Sequence, residues 1–524
     1  MPEEPVDEHY LSADGLMQEM HGRSTTGGWD MVVSYKAKQL SDLLAQVWDK
    51  DRNTDIIKDA DKAVVMGHRC AYEFHLGTPL LQFASVEGAC MADLIIPISG
   101  TVTVELYMHD PVTKKPADTP YTTMAPEEIP KGLWNLRIRV PIKSLTGDVD
   151  AKDLDKEGQS SGKIVQLGEG QKDRANIVLH FSSKNVTYEL DPVKPEKPLK
   201  EGETVPASPE IPDGALACIR SWFGDKKNVN VTNYRLATVK AIKSGSDALG
   251  ILEPESFVFG ANGDVLSIYI KTKGSGAGAG DVEAKFMSIE NRAIRPIPKG
   301  QSASIIISHR LLNDRVFLPQ LEKYRTEHNI AKEISTKSND NGFAYEFHLK
   351  GDFNVDMKGE HGIFANVTLP KTTVHLSDAL TTLKIDNGRA IFSYEKDYEI
   401  KWRESSMGAG PIVMVQDPNV AVLKVMLSQN DPVAEVKDNS NIAIDISIKK
   451  ESFELKAKAK EGNLYEGVKK ASVQFSAISL KSPNLNFIAA ESVLAPGLTM
   501  VDIKTLNIPY DLILCGKMIE KIES

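Results

Sequence analysis

Apolar and polar residues alternate with period two over long stretches of this chain. Leu136, Ile138, Val140 and Ile142 form one such run, and Ile442, Ile444, Ile446 and Ile448 another. Strands of this kind bury one face and wet the other, the habit of antiparallel sheets, so a doubly wound parallel fold is disfavoured. Asn387-Gly388 and Asn341-Gly342 supply hairpin turns. The pattern turns helical in a few places. After the short strand "WDMVVSY", Leu40, Leu43, Leu44, Val47 and Trp48 fall at i, i+3, i+4, i+7 and i+8, one stripe of a helix. After "SIIISHRLL", Phe317, Leu321 and Tyr324 make a second stripe, with Pro319 expected near the helix start. "GALACIRSWF" is a shorter helix that follows six prolines between Asp191 and Asp213, an extended connector. The first 26 residues are polar and acidic with little periodicity and are expected to be a mobile arm or a strap over the surface.

"AYEFHL" occurs twice, at Ala71–Leu76 and Ala344–Leu349, 273 residues apart. "VVSYKAKQLSDLLAQVW" and "IISHRLLNDRVFLPQLE" recur at nearly the same spacing, 274 residues. The reading is a duplication: a polar arm over 1–27, a first unit over 28–298 that contains the connector 191–213, and a second unit over 299–524. The fold class expected is α+β, two tandem units, each a long bent antiparallel sheet wrapped around a long helix.

Composition narrows the function. With 41% hydrophobic and 26% charged residues in 524, the chain can bury sizeable cores. A formal charge of −10 argues against nucleic acid as a partner. No run reaches the roughly 18 apolar residues of a membrane span. The N-terminus lacks a basic and apolar leader, so synthesis in the cytoplasm is expected, with any release by a non-classical route. Cys70, Cys90, Cys218 and Cys515 lie far apart, without CxxC spacing, which disfavours a disulfide scaffold or a zinc ribbon.

Candidate chemistry fails at required positions. "KTKGSGAGAGD" has Ala279 where a dinucleotide loop needs glycine, and it is expected to be a hairpin tip. "EGQSSGKI" is one residue short of a phosphate loop. Around "DVDAKDLDKEG" the calcium-like spacing ends on Ile164 in place of a bidentate Glu. Glu73, His75, Glu346 and His348 repeat with the duplication and fall on the polar face of their strands. The expectation is a non-enzyme with no catalytic residue, no metal and no cofactor.

Three further stretches, "GGWDMVVSY", "IRPIPKGQSASIIISHRLLNDRVFLPQL" and "LNIPYDLILCG", resemble the forty-seven-kilodalton accessory-protein family of botulinum neurotoxin gene clusters of the orfX type. The resemblance runs from about Gly28 to Gly516. It implies the tubular lipid-binding (TULIP) superfamily, and with it a lipid or fatty acyl chain as ligand, or partner proteins from the same toxin or insecticidal cluster. It offers no catalytic residue to carry over. The helix stripes supply the groove-lining candidates Leu40, Leu43, Leu44 and Val47 in the first unit and Phe317, Leu318 and Leu321 in the second. Such residues are by default packed core.

Overall fold

The structure is a computed structural model. It describes residues 8–518 apart from 52–55, 87–88, 114, 147–158, 161–162, 168–173, 182–183, 194–210, 213, 226–234, 241–251, 277–279, 282–285, 329–330, 340–341, 350–351, 356–357, 362–364, 369–371, 387–388, 403–418, 433–434, 437–441, 444–452 and 460–500. The calcium-like spacing, most of the Pro-rich connector, the Asn387-Gly388 turn and Ile444–Ile448 lie outside the described residues.

The molecule is built largely from antiparallel sheet with few helices, as period-two patterning requires. The chain opens with α1 (Ala13–Met20), β1 (Met31–Lys36), α2 (Ala37–Asp51), β2 (Ile56–Ala60), β3 (His68–Leu76), β4 (Leu80–Val86) and β5 (Ala89–Leu106). A ten-stranded sheet places β5 between β3 and the strand Glu127–Thr146. In that strand Leu136, Ile138, Val140 and Ile142 are all buried. The register shifts between Ile98 and Gly100. Gly100 is required there, because a Cβ would run into the carbonyl oxygen of Glu73 on β3. The helix expected at "GALACIRSWF" is α3 (Gly214–Gly224), with Cys218, Ile219 and Phe223 buried.

A six-stranded sheet is formed by Ala331–Asn339, Gly342–Leu349, Thr381–Asp386, Arg389–Trp402, Asn419–Pro432 and Phe453–Ala459. Asn339 pairs with Gly342, which makes Gly342 the first residue of its strand and not a turn residue as expected, while position 341 lies outside the described residues.

A third sheet, called here the central sheet, has seven strands ordered Val501–Asn507, Leu512–Met518, Ala303–Ile307, β1, Val265–Thr272, Pro254–Asn262 and Val165–Gln166. The strands that begin the two expected units are therefore antiparallel neighbours, with Met31 opposite Ile307 and Ser34 opposite Ser304. Each leads into a helix, then a hairpin whose second strand carries "AYEFHL". In both copies Tyr and Phe face the core: Tyr72 and Phe74, Tyr345 and Phe347 are buried.

Side chains facing the main core match at an offset of 272 in the strands, Met31, Val33 and Tyr35 against Ala303, Ile305 and Ile307. The two "AYEFHL" copies match at 273. The second helical run is α over His309–Leu311, π over Leu312–Phe317 and α again over Leu318–His328. A π segment takes one extra residue into a helix, which is the size of this shift. The spacing of 274 drawn from the aligned segments is thus longer than the one that matches core faces. Pro319 lies inside this continuous run, not at its start. It has no N–H to give a carbonyl one turn back, and the side-chain Nε2 of Gln320 donates to Val316 O at 2.9 Å in the same turn.

The other face of the central sheet is covered by the N-terminal segment, which from residue 8 onward is a strap. Ser12 caps α1 by accepting from Gly15 N. Leu16, Met17 and Met20 pack with Trp29 on Val32, Tyr269, Ile306 and Ile513. Within α1 these three are the buried residues, too few for a visible helical period. The segment after Val265–Thr272 is not the tip of a hairpin with that strand: Met287–Ile289 pairs with Arg292–Ile294 instead.

Candidate functional site

The inner face of the central sheet, both helical runs and the two flanking sheets share one apolar interior. Met31, Val33, Tyr35, Phe257, Ile305 and Leu514 line the central part. Leu40 and Leu44 enter from α2 at 1% and 3% exposure, and Phe317 and Leu321 from the second run at 0% and 2%. Leu318 is half-buried against the same cluster. The side chains of Leu43 and Val47 lie outside the described residues, although their helix is described. Helix α2 rests on β4, and Leu81 N donates to Ser41 Oγ at 2.9 Å across that contact. Phe317 meets Phe343 edge to face at 5.0 Å. Burial in this interior pushes the Tyr35 and Tyr345 hydroxyls well above the ordinary phenol range, so both stay neutral.

A polar catch closes one end, where the second helical run leaves the central sheet. Asp511 immediately precedes the strand Leu512–Met518 and is fully buried. Its carboxylate accepts from Thr25 N at 2.6 Å, Thr25 Oγ1 at 2.9 Å and His309 N at 2.8 Å. Asp30, immediately before β1, accepts from Thr272 N at 2.8 Å and Thr272 Oγ1 at 3.0 Å, and pairs with Arg310. Ser308 N donates to the Asp30 carbonyl at 2.8 Å. Two carboxylates thus fix the strap, two strand ends and the helix start.

Burial raises the Asp511 pKa, and the N–H donors from Thr25 and His309 oppose that shift. The imidazole of His309 stacks between Phe343 at 4.0 Å and Tyr510 at 4.3 Å, and burial lowers its pKa. Sequence reasoning missed Asp30, Asp511 and His309. The legible signal was an acid directly ahead of an apolar run in both "WDMVVSY" and "PYDLILCG".

The other chemical candidates are not brought together. Glu73 pairs with Lys58 at 3.1 Å and stands 3.8 Å from His75, on an exposed strand face. His348 contacts the Ser377 carbonyl at 2.9 Å, far along the other hairpin. Gly274, in the glycine-rich stretch, gives its carbonyl to Arg315 of the second helical run, and a Cβ at Gly280 would meet the Trp29 ring. All four cysteines are free thiols. Among the described residues no group of His, Cys, Asp and Glu is arranged to hold a metal, and no helix is long and apolar enough to cross a membrane.

No family model and no curated protein matches the chain. Its structure is similar to that of P47 of Clostridium botulinum E1, at 11% identity and a TM-score of 0.44, over 95% of this chain and 100% of that one. It is similar also to P47 from Clostridium botulinum A2, at 10% identity and a TM-score of 0.42, over 94% of this chain and 98% of that one. Both similarities run over nearly the whole length of the chain.

Proposed function

We propose that the chain is a non-enzymatic protein associated with a bacterial toxin or insecticidal gene cluster, and that it takes up a lipid acyl chain between helix and sheet. In this reading residues 28–298 and 299–524 are duplicated tubular units joined through the central sheet, with 1–27 as an arm. The observation that carries it is the continuity of the apolar interior, which runs from Leu40 and Leu44 across the inner face of β1 to Phe317 and Leu321. Each CH₂ of a chain buried there contributes about 0.8 kcal/mol. Uptake requires α2 to part from β4, a contact made by apolar packing and the Leu81–Ser41 hydrogen bond. The proposed lining is Leu40, Leu43, Leu44, Val47, Phe317, Leu318 and Leu321. Titration of delipidated protein with a fluorescent fatty acid should give saturable uptake, displaced by unlabelled fatty acid. Fluorescence that rises without saturation would count against the reading.

One observation favours a second reading. Leu40, Leu44, Phe317 and Leu321 are at most 3% exposed, whereas residues lining an open tube would keep accessible area. A closed interior fits an accessory component that assembles with partner proteins of the cluster without carrying lipid.

A further inference from the structure

Thr381 brings a hydroxyl to the apolar inner face of the six-stranded sheet. On the strand Thr381–Asp386, Leu383 lies opposite Tyr345 and Ile385 opposite Phe343, and all four belong to the main core. Period-two alternation carries Thr381 to the same face, between Phe347 and Tyr394 of the neighbouring strands. Thr381 is 0% exposed, and its Oγ1 has no hydrogen-bond partner among the described residues. A buried hydroxyl without a partner costs free energy that valine, equally branched, would not. The repeated hexapeptide does not account for it. Opposite Phe74, in the other copy, stands Gly100, where a Cβ would run into the Glu73 carbonyl.

This end of the interior lies close to the surface. Thr381 is the first residue of its strand, and Leu380 just before it is 49% exposed. Tyr398, half-buried against the same core, donates its hydroxyl to His375 O at 2.8 Å and lies 3.2 Å from the Tyr394 hydroxyl. Both phenols are thus engaged, and the Thr381 hydroxyl is left for a group that enters. The short turn Leu376–Asp378 covers this end, with Leu376 buried against the strand that carries Phe347. Inward, the apolar track runs past Leu383 and Tyr345 to Phe343, which meets Phe317 of the second helical run.

A single placed polar group at the surface end of an apolar track fixes the direction of an amphiphile, head outward and chain inward. A hydroxyl can donate, and an acyl carbonyl needs a donor. We propose that Thr381 anchors the acyl carbonyl of a bound lipid, its Oγ1 donating to the carbonyl oxygen while the chain runs along Leu383 toward Phe317. Acyl uptake by the interior is the premise, and Thr381 gives the ligand a place and a direction within it.

Displacement of cis-parinaric acid, a fluorescent fatty acid, by methyl palmitate and by hexadecane tests the anchor in the full chain. The reading is the ratio of the two dissociation constants, from which the affinity of the probe itself cancels. Thr381→Val keeps the branched shape and removes the donor, so the advantage of the ester over hexadecane should fall about tenfold. Thr381→Ser keeps the donor and should keep most of that advantage. Ser144, whose Oγ is likewise buried without a partner among the described residues, supplies the control Ser144→Ala, which should leave the ratio unchanged. Without ligand, Thr381→Val should melt no lower than the wild type, because it removes an unpaired hydroxyl. A wild-type ratio in Thr381→Val, the same loss in Ser144→Ala, or a valine variant that melts early because the hydroxyl serves the fold would each overturn the anchor and leave acyl uptake standing. A wild-type chain that binds none of the probe would overturn both.

Discussion

Leu44→Trp probes whether the contact between α2 and β4 is the route taken by an acyl chain. Leu44 is 3% exposed and sits one helical turn beyond Leu40, facing the same apolar interior. An indole there has no void to fill in the closed state, and overpacking a buried site costs about 1 to 3 kcal/mol. For a unit of this size that lowers the melting temperature by roughly 2 to 10 °C. Leu44→Ala is the matched control. Truncating a buried Leu costs about 2 to 5 kcal/mol and leaves a cavity an acyl chain can enter. Fluorescent fatty-acid titration and thermal melts, each with and without saturating ligand, read both effects. If the chain enters here, the Trp variant loses uptake several-fold. The Ala variant keeps uptake and regains part of its stability with ligand, about 2.7 kcal/mol at a hundredfold excess over Kd. A Trp variant that melts early yet binds fatty acid as the wild type does would remove Leu44 from the path and refute the reasoning.

The catch at the helix start yields two more expectations. Asp511→Ala leaves Thr25 N, Thr25 Oγ1 and His309 N without their acceptor in a buried site, a loss of about 3 to 5 kcal/mol, whereas Asp511→Asn keeps an acceptor and sheds the buried charge, so denaturant melts should place it much nearer wild type. The His309 pKa is lowered on folding, so the unfolded chain binds more protons just below the ordinary imidazole value of 6.5, and stability should fall as pH drops through that value toward the lowered one. The raised pKa of Asp511 acts oppositely, with stability lost as pH rises from the ordinary carboxylate value of 3.8 through its raised value. Melts of the wild type against His309→Phe between pH 7.5 and 5, values chosen to bracket the window, should show a steeper acid loss for the wild type. Parallel curves would contradict the assignment to His309.

Period-two burial was legible wherever a strand has one wet face, as in Leu136 to Ile142. The two opening strands were legible as strands but not as neighbours, because pairing between Val33 and Ile305 is set by closure over some 270 residues and leaves no local mark. Helix α1 escaped notice because Leu16, Met17 and Met20 alone carry its buried face, and the π segment because it differs from an α-helix only by one residue of phase. The candidate lining was legible as an apolar stripe, but whether a stripe closes on a sheet or parts from it is a balance of packing that side-chain type does not encode. Asp30 and Asp511 were hidden differently. An acid before an apolar strand reads as a solvated end, and only the fold supplies the Thr25, Thr272 and His309 donors that make burial tolerable.

Native mass spectrometry of the protein purified without detergent reads whether an acyl chain is held in the apolar interior. A bound chain gives a population heavier than the sequence mass by one or two lipids, which returns to the sequence mass after organic extraction, with the lipid recovered in the extract. A single species at the sequence mass before and after extraction, together with stable binding of a protein from the same gene cluster, would contradict it and leave a closed, structural accessory protein.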